Sequence, residues 1–183
     1  MQGVYPWFAI KVKSRHEKPV ATALRGKGFT EFVPLYRTLY RCAGRVRSRE
    51  LPLFPTYVFG RFDPSVRLPI LIIPGVFSIV GIGNAPSPVD ETEIQTIQAL
   101  TASGLTVTPW SYAHVGDPVR IEMGPLTGLE GTLVRLKSEF RLVVSVTLLR
   151  RSVSVEVDRD WVQPIHRMGE LFKAAGAFVH DVH

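Results

Sequence analysis

The chain has 183 residues, enough for one or two small domains that each bury a core. Its apolar content of 45% and charged content of 21% exclude wholesale disorder. The single cysteine, Cys42, excludes an internal disulfide framework and a cysteine-cluster metal site. Because no apolar run is long enough for a bilayer and no secretory signal pattern is present, we expect a soluble, cytoplasmic protein without membrane contact.

Positive charge is concentrated in the first third of the chain. Residues 1–62 contain 12 Lys and Arg and 3 Asp and Glu, whereas residues 63–183 contain 10 and 13. A basic segment favours contact with a polyanion, most simply nucleic acid, although a solvated basic surface has the same composition. The charge therefore indicates a nucleic-acid partner without establishing one.

The first predicted elements are a strand, a helix and a long ribbon. An aromatic strand over 5–13 precedes a helix, and the Ser-x-x-Glu spacing of residues 14–17 predicts a capping box at its start. Segments 30–42 and 47–62 predict two long strands joined by a turn. Together they form an extended antiparallel ribbon.

The next elements complete the first domain. A short, proline-interrupted helix follows Asp63, a strand covers 75–83, and a helix with Asp90 as its cap follows. The order β-α-β-β-α-β is that of the ferredoxin-like split βαβ arrangement, an α+β fold. We place this domain at residues 1–104.

The stretch PLFPTYVFGRF, residues 52–62, is apolar on both faces of its predicted strand. In an unbroken strand Tyr57 and Phe59 share one face, whereas Phe54 lies on the other. We expect one face to pack inward and the other to offer apolar surface to a partner. The alternative is a strand that its own domain buries on both faces.

The second half of the chain predicts a small β-barrel. Residues 105–113 lack helical or strand periodicity and predict a linker. Short alternating strands then follow within a domain at 114–165, separated by glycine, proline or charged turns. Residues 166–183 predict a C-terminal tail.

No catalytic or metal-binding motif is present. The sequence has no HExxH, CxxC, P-loop or G-x-S-x-G pattern, and its histidines lack metal-ligand spacing. We therefore expect a protein that is not an enzyme and that holds neither a cofactor nor a metal.

A resemblance to a known family is carried by WFAIKVKSRHEKPVATALRGKGFTEFVPLY, LPLFPTYVF and PGVFSIVGIGNAPSPVDETEI. These stretches resemble the N-terminal (NGN) domain of the NusG family of bacterial transcription elongation factors. The later stretches VGDPVRIEMGPLTGLEGTLVRL and LVVSVTLLRRSVSVEVDRDWVQPI are similar to that family's KOW domain, an SH3-like barrel. The stretch PLFPTYVFGRFDP resembles the corresponding stretch of specialised paralogues, such as RfaH and those found with polysaccharide or antibiotic gene clusters.

The resemblance implies a transcription elongation and antitermination factor. In this family the NGN domain binds the clamp helices of the largest RNA polymerase subunit through an apolar patch, bridges the DNA channel and suppresses pausing. Thr56 stands where the family often has glycine. The matching patch positions here are Phe54, Tyr57, Phe59 and Phe77.

The basic residues fit the same resemblance, which implies that they lie near upstream DNA or the exposed non-template strand. Each phosphate contact would contribute through counterion release. The alternative for each arginine is ordinary solvation of the ribbon tip. The candidates are Lys11, Lys13, Arg15, Arg41, Arg45, Arg47 and Arg49.

For the KOW domain, the resemblance implies a partner surface around VTLLRRSV, at Leu149, Arg150 and Arg151. Relatives use this region to contact a small-subunit ribosomal protein or the termination factor Rho, and KOW barrels also bind RNA. Leu149 stands where phenylalanine is common and Arg150 where glycine is common. The β-branched runs LVVSVT and SVSVEV predict a stable barrel.

We therefore expect a monomeric, two-domain factor whose NGN domain holds polymerase while the KOW domain recruits a further partner. The alternative from another class is an RNA-binding or ribosome-associated KOW protein without polymerase binding. Capture by isolated clamp helices separates the two hypotheses.

Overall fold

The chain mixes helices and strands in its first half and is rich in strands in its second. The computed structural model describes residues 5–110, 117–136 and 139–165. The helices are α1 (Glu17–Gly26), α2 (Leu68–Leu71) and α3 (Glu91–Ala102). Among the described residues, no helix has the length and apolar character needed to cross a bilayer.

The strands follow in chain order, with short 3-10 turns at Thr147–Leu149 and Arg159–Trp161. The first-half strands are β1 (Trp7–Val12), β2 (Thr30–Phe32), β3 (Leu35–Cys42), β4 (Arg45–Pro52), β5 (Tyr57–Arg61), β6 (Val76–Ile79), β7 (Gly81–Ile82), β8 (Ala85–Pro86) and β9 (Pro88–Val89). The later strands are β10 (Val107–Trp110), β11 (Asp117–Ile121), β12 (Glu130–Leu136), β13 (Glu139–Val146), β14 (Arg151–Val157) and β15 (Val162–Pro164).

The central sheet of the first half has the order β2-β5-β1-β6, with β9 also pairing with β1. β1 and β5 run antiparallel in the register Ala9 opposite Phe59 and Ile10 opposite Val58. Each strand is apolar at successive positions because both faces of this sheet are covered.

The two faces of the sheet belong to two separate cores. Phe8 and Ile10 of β1 and Val58 of β5 pack with Val20 and Leu24 of α1. The alternate positions of the same strands, Trp7, Ala9 and Phe59, face a second core that includes α3 through Ile94, Ile97 and Leu100. Because alternate residues of each strand enter different cores, both sets of positions along the strand must be apolar.

The second half forms a six-stranded sheet in the order β10-β14-β13-β12-β11-β15. The expected α+β first domain followed by a β-rich second domain is thereby confirmed. Strand β10 was not predicted: residues 107–110 fall in the expected linker but pair with β14, Val107 lying opposite Val155. The linker residues 111–113 and the predicted tail, 166–183, lie outside the described residues.

Two local predictions of the first half were wrong. The capping box is absent, because α1 begins at Glu17 after His16 and its first turn has no side-chain cap. The buried Glu17 carboxylate accepts a hydrogen bond from the Thr56 backbone N–H at 2.8 Å. The two long strands are also interrupted at 33–34 and 53–56, so β3 and β4 form a separate ribbon.

Candidate functional site

The predicted aromatic patch lies where the chain turns from β4 into β5. Phe54 precedes β5, so the phase of an unbroken strand does not apply to it. Its ring meets that of Phe59 edge-on, with centroids 5.7 Å apart. Phe54 and Phe59 are 1% and 0% exposed, so neither ring is open to a partner in this structure.

Tyr57 lies at the rim of that buried pair and is half-buried. The guanidinium of Arg151, from barrel strand β14, lies over its ring at 5.2 Å from the centroid. A cation over a tyrosine face is attracted by the ring quadrupole. The first domain therefore meets the barrel at a residue predicted to bind polymerase.

The core behind Tyr57 is shared between the two domains. Phe54, Phe59 and the apolar stripe of α3 form one contiguous cluster with barrel residues that include Val144 and Val153. A cleft between α3 and the barrel is lined by Thr92, Glu93 and Thr96 on one side and by residues 128–132 and 143–145 on the other. The barrel therefore packs against the sheet face that carries Trp7, Ala9 and Phe59. We call this the apolar face of the NGN domain.

The predicted KOW partner surface lies at the same junction. Leu149 is half-buried and packs against the shared cluster, and Arg151 covers Tyr57. Arg150 is exposed and has a left-handed backbone, φ 50°. The structure thus brings together two candidate sites that the sequence placed on different domains.

Phe77 does not join this cluster. It lies on β6 with 62% of its surface exposed. Leu68 of α2 and Ile72, directly after that helix, are also exposed, at 67% and 63%. Because α2 contacts β6, these residues lie on neighbouring elements, and the sequence reasoning singled out Phe77 but neither Leu68 nor Ile72.

The backbone conformation at Thr56 accounts for the glycine that the family often has at this position. Thr56 has a φ of 70°, the left-handed region in which glycine is favoured. Its N–H donates to Glu17, and its carbonyl accepts from the Val12 N–H at 2.9 Å. Both hydrogen bonds hold Phe54 and Tyr57 in place despite the strained backbone.

The ribbon of β3 and β4 divides the predicted DNA-binding arginines between two faces. Side chains directly opposite each other in an antiparallel pair lie on the same face, and Tyr40 is opposite Arg47. We call one side the basic face; it consists of Tyr36, Thr38, Tyr40, Cys42, Arg45, Arg47, Arg49 and Leu51. The opposite face consists of Leu35, Arg37, Leu39, Arg41, Val46, Ser48, Glu50 and Pro52.

The remaining basic candidates are exposed near the base of the ribbon or at the end of β1. Arg15 lines a cavity of about 380 Å³ together with Tyr36 and Leu51. Lys11 and Lys13 are exposed at the end of β1.

A basic residue that the sequence reasoning did not single out lies at the ribbon base. Lys18 donates to Glu50 at 3.0 Å, and this bond holds the pKa of the Glu50 carboxyl below its ordinary value. The only acidic residue of the ribbon faces is thus already paired with a cation.

The described residues offer no site for a metal: they contain no group of three His, Cys, Asp or Glu side chains placed to hold one.

Comparison with known families identifies the chain. The family model described as "Transcription termination factor nusG" matches residues 5–98, about half of the chain. The chain belongs to the NusG family. Tyr57, the basic face and the Glu17–Thr56 contact all lie within the matched segment.

Curated relatives of the NusG family extend the similarity over most of both domains. The transcription termination/antitermination protein NusG of Vibrio vulnificus is 28% identical over 174 residues, which cover 87% of this chain and 95% of the relative. That of Thermus thermophilus is 29% identical over 175 residues, with 83% and 94% coverage.

A solved structure described as "Domain interaction in Thermotoga maritima NusG" has the same fold. Its TM-score is 0.55 at 21% identity, and the match covers 88% of this chain and 97% of that one. The assignment to a specialised, RfaH-like branch stays a prediction.

Proposed function

We propose that this protein is a transcription termination/antitermination factor that binds elongating RNA polymerase through the apolar face of its NGN domain. The observation that carries the proposal is the family match over residues 5–98, the domain that contains Tyr57. The partner segment is the clamp helices of the largest polymerase subunit. Bridging the DNA channel from there would hold the clamp closed and suppress pausing.

The proposal requires the barrel to leave the apolar face before polymerase binds. Phe54 and Phe59 are buried in the shared cluster, and Tyr57 lies under Arg151. When the domains separate, these aromatic side chains become available for a helical partner. Leu149 and Arg151 are uncovered by the same separation. Only polymerase-bound molecules would then present the KOW surface to a further partner.

Nucleic-acid contact belongs to the same proposal. The ribbon presents Arg45, Arg47 and Arg49 on one face, all of them exposed. Lys11, Lys13 and Arg15 add exposed positive charge outside the ribbon. Upstream DNA or the exposed non-template strand is the polyanion that these residues would meet beside polymerase.

Capture by an isolated clamp-helix fragment tests the polymerase contact. Tyr57→Ala is expected to weaken capture about 30-fold, because a rigid aromatic at the centre of an interface contributes roughly 2 kcal/mol. Arg151→Ala is expected to strengthen capture about 2- to 5-fold, since it removes a contact that closes the apolar face. Tyr40→Ala, on the ribbon and outside the predicted patch, is the matched control for loss of an exposed aromatic elsewhere on the domain.

Phe59→Ala is unsuitable for this test because Phe59 belongs to the core, and its loss would cost about 3–5 kcal/mol of folding stability. Failure of both the wild-type protein and Arg151→Ala to be captured would overturn the polymerase assignment. It would leave the RNA-binding or ribosome-associated KOW protein as the function to examine.

A further inference from the structure

A cavity of about 380 Å³ lies between the start of α1, the base of the β3–β4 ribbon and the segment that follows β4. Its size falls within the range of about 300–1,000 Å³ that is typical of cavities holding small ligands. Apolar walls of this kind bind an aliphatic or aromatic group of a ligand. The apolar wall consists of two leucines, two prolines and a tyrosine: Leu35, Tyr36, Leu51, Pro52 and Pro55.

Four charged residues line the same cavity, and two of them neutralise each other. Lys18 and Glu50 form an ion pair at 3.0 Å. In the part of the chain that the structure describes, Glu17 and Arg15 form no ion pair with each other or with another residue. The cavity therefore offers one carboxylate and one guanidinium that lack a counter-ion from these residues.

Glu17 is the stronger indication of a ligand, because its side chain is buried. The residue is 5% exposed, and the hydrogen bond that it accepts at 2.8 Å comes from the Thr56 N–H. A carboxylate accepts several hydrogen bonds, and a buried one is normally matched by a cation. An ammonium group in the cavity would supply both the opposite charge and further N–H donors.

Arg15 lies two residues before Glu17 and is exposed where it lines the cavity. A guanidinium binds a carboxylate through two parallel N–H bonds. A ligand that meets both residues must therefore carry an ammonium and a carboxylate close together, and the wall adds the need for an apolar group. An α-amino acid with an apolar side chain has these three groups, with both charged ones on a single carbon.

We propose that this cavity binds a free α-amino acid with an apolar side chain. Its ammonium meets Glu17, its carboxylate meets Arg15, and its side chain packs on the apolar wall. The site does not depend on the polymerase contact, but it lies behind the loop that carries Tyr57. Because Pro52 and Pro55 line the cavity and Glu17 holds the Thr56 N–H, a bound amino acid stabilises that loop.

Titration of the full chain, followed by the NMR chemical shifts of its backbone amides, tests this site. The probes are L-phenylalanine, phenethylamine, which lacks the carboxylate, and hydrocinnamate, which lacks the ammonium. L-phenylalanine is expected to bind at about millimolar concentration, and each analogue about 5-fold or more weakly. The shifts should be largest at Arg15, Glu17 and Leu51 and small at Phe77, which does not line the cavity.

Two substitutions separate the contacts of the two charged groups. Arg15→Gln should weaken L-phenylalanine about 5- to 10-fold and leave phenethylamine unchanged, because only the carboxylate contact is lost. Glu17→Gln should weaken both L-phenylalanine and phenethylamine and leave hydrocinnamate unchanged. Lys27→Gln removes the same charge as Arg15→Gln from an exposed position at the other end of α1 and is its matched control.

Three results would overturn the inference: equal affinity for L-phenylalanine and its two analogues, equal losses from Arg15→Gln and Lys27→Gln, or no shift at about 10 mM L-phenylalanine. If Glu17→Gln does not fold, the comparison of Arg15→Gln with Lys27→Gln still decides, since both residues are exposed. Clamp-helix capture is a separate measurement. Binding of L-phenylalanine by a protein that clamp helices do not capture would remove the proposed function alone.

Discussion

Thr56 stores backbone strain beside the aromatic pair of the NGN domain. Its φ of 70° brings Cβ into conflict with the following peptide, and a β-branched side chain tolerates this region poorly. The strain persists because the Thr56 N–H is fixed by the buried Glu17 carboxylate and its carbonyl by Val12. The loop is thus positioned from both sides.

Replacing Thr56 with glycine is expected to stabilise the protein. Relief of the left-handed strain outweighs the greater freedom that glycine has in the unfolded chain, giving a net gain of about 0.5–1 kcal/mol in the free energy of unfolding. Urea denaturation measures the change. Thr56→Ala keeps the Cβ and should give little of this gain; equal stabilisation by alanine would show that strain is not the cause.

At the scale of elements, helix α3 is fixed by its N-terminal cap. The Asp90 carboxylate accepts hydrogen bonds from the Thr92 hydroxyl, from the Thr92 N–H at 2.7 Å and from the Glu93 N–H at 3.4 Å. These bonds, led by the Thr92 hydroxyl, hold the pKa of Asp90 below its ordinary value of 3.8. The ionised form is therefore the one that the folded state prefers.

The cap makes the stability of the protein depend on pH. Because the folded-state pKa of Asp90 is depressed, its contribution is fully present above about pH 4 and is lost as the pH falls through the folded-state pKa. Asp90→Asn keeps a capping side chain without the charge, so its Tm should lie below that of wild type at neutral pH and approach it in acid. Thermal unfolding from pH 7 to pH 3 measures the difference, and a constant gap would contradict the assignment.

The elements that sequence reasoning predicted well carry local signals. Asp90 at the start of α3 and the alternation along β13 and β14 are each set by neighbouring residues, and the structure agrees with them. The strand at 107–110 was missed because β10 is held by its pairing with β14, a contact distant in sequence. The cap of α1 was misassigned because Glu17 bonds to Thr56 rather than to its own helix start.

The candidate site shows the same division between local and long-range information. The residue types were predicted from sequence, since aromatic and basic residues stand out along the ribbon and its neighbours. The burial of Phe54 and Phe59 was not, because it depends on α3 and on a barrel that begins some fifty residues later. The strand register, which composition does not reveal, places Arg41 on the opposite face of the ribbon from Arg47 and Arg49.

At the scale of the whole molecule, one apolar cluster spans the two domains. Phe54 and Phe59 of the NGN domain pack in the same cluster as Val144 and Val153 of the barrel. Unfolding either domain alone would expose the apolar residues of the other to water, at about 25 cal/mol for each Å². A cost of this kind penalises partly unfolded states and favours a single transition.

Differential scanning calorimetry is expected to give one transition for the full chain, with equal calorimetric and van't Hoff enthalpies. Arg151→Ala weakens the contact with Tyr57 and should lower the van't Hoff enthalpy relative to the calorimetric one, because the domains then unfold less together. Arg150→Ala removes the same charge from the adjacent residue and should keep the ratio near one. Two separate transitions in the wild-type protein would mean that the domains fold independently. Separating the barrel from the apolar face would then cost little free energy.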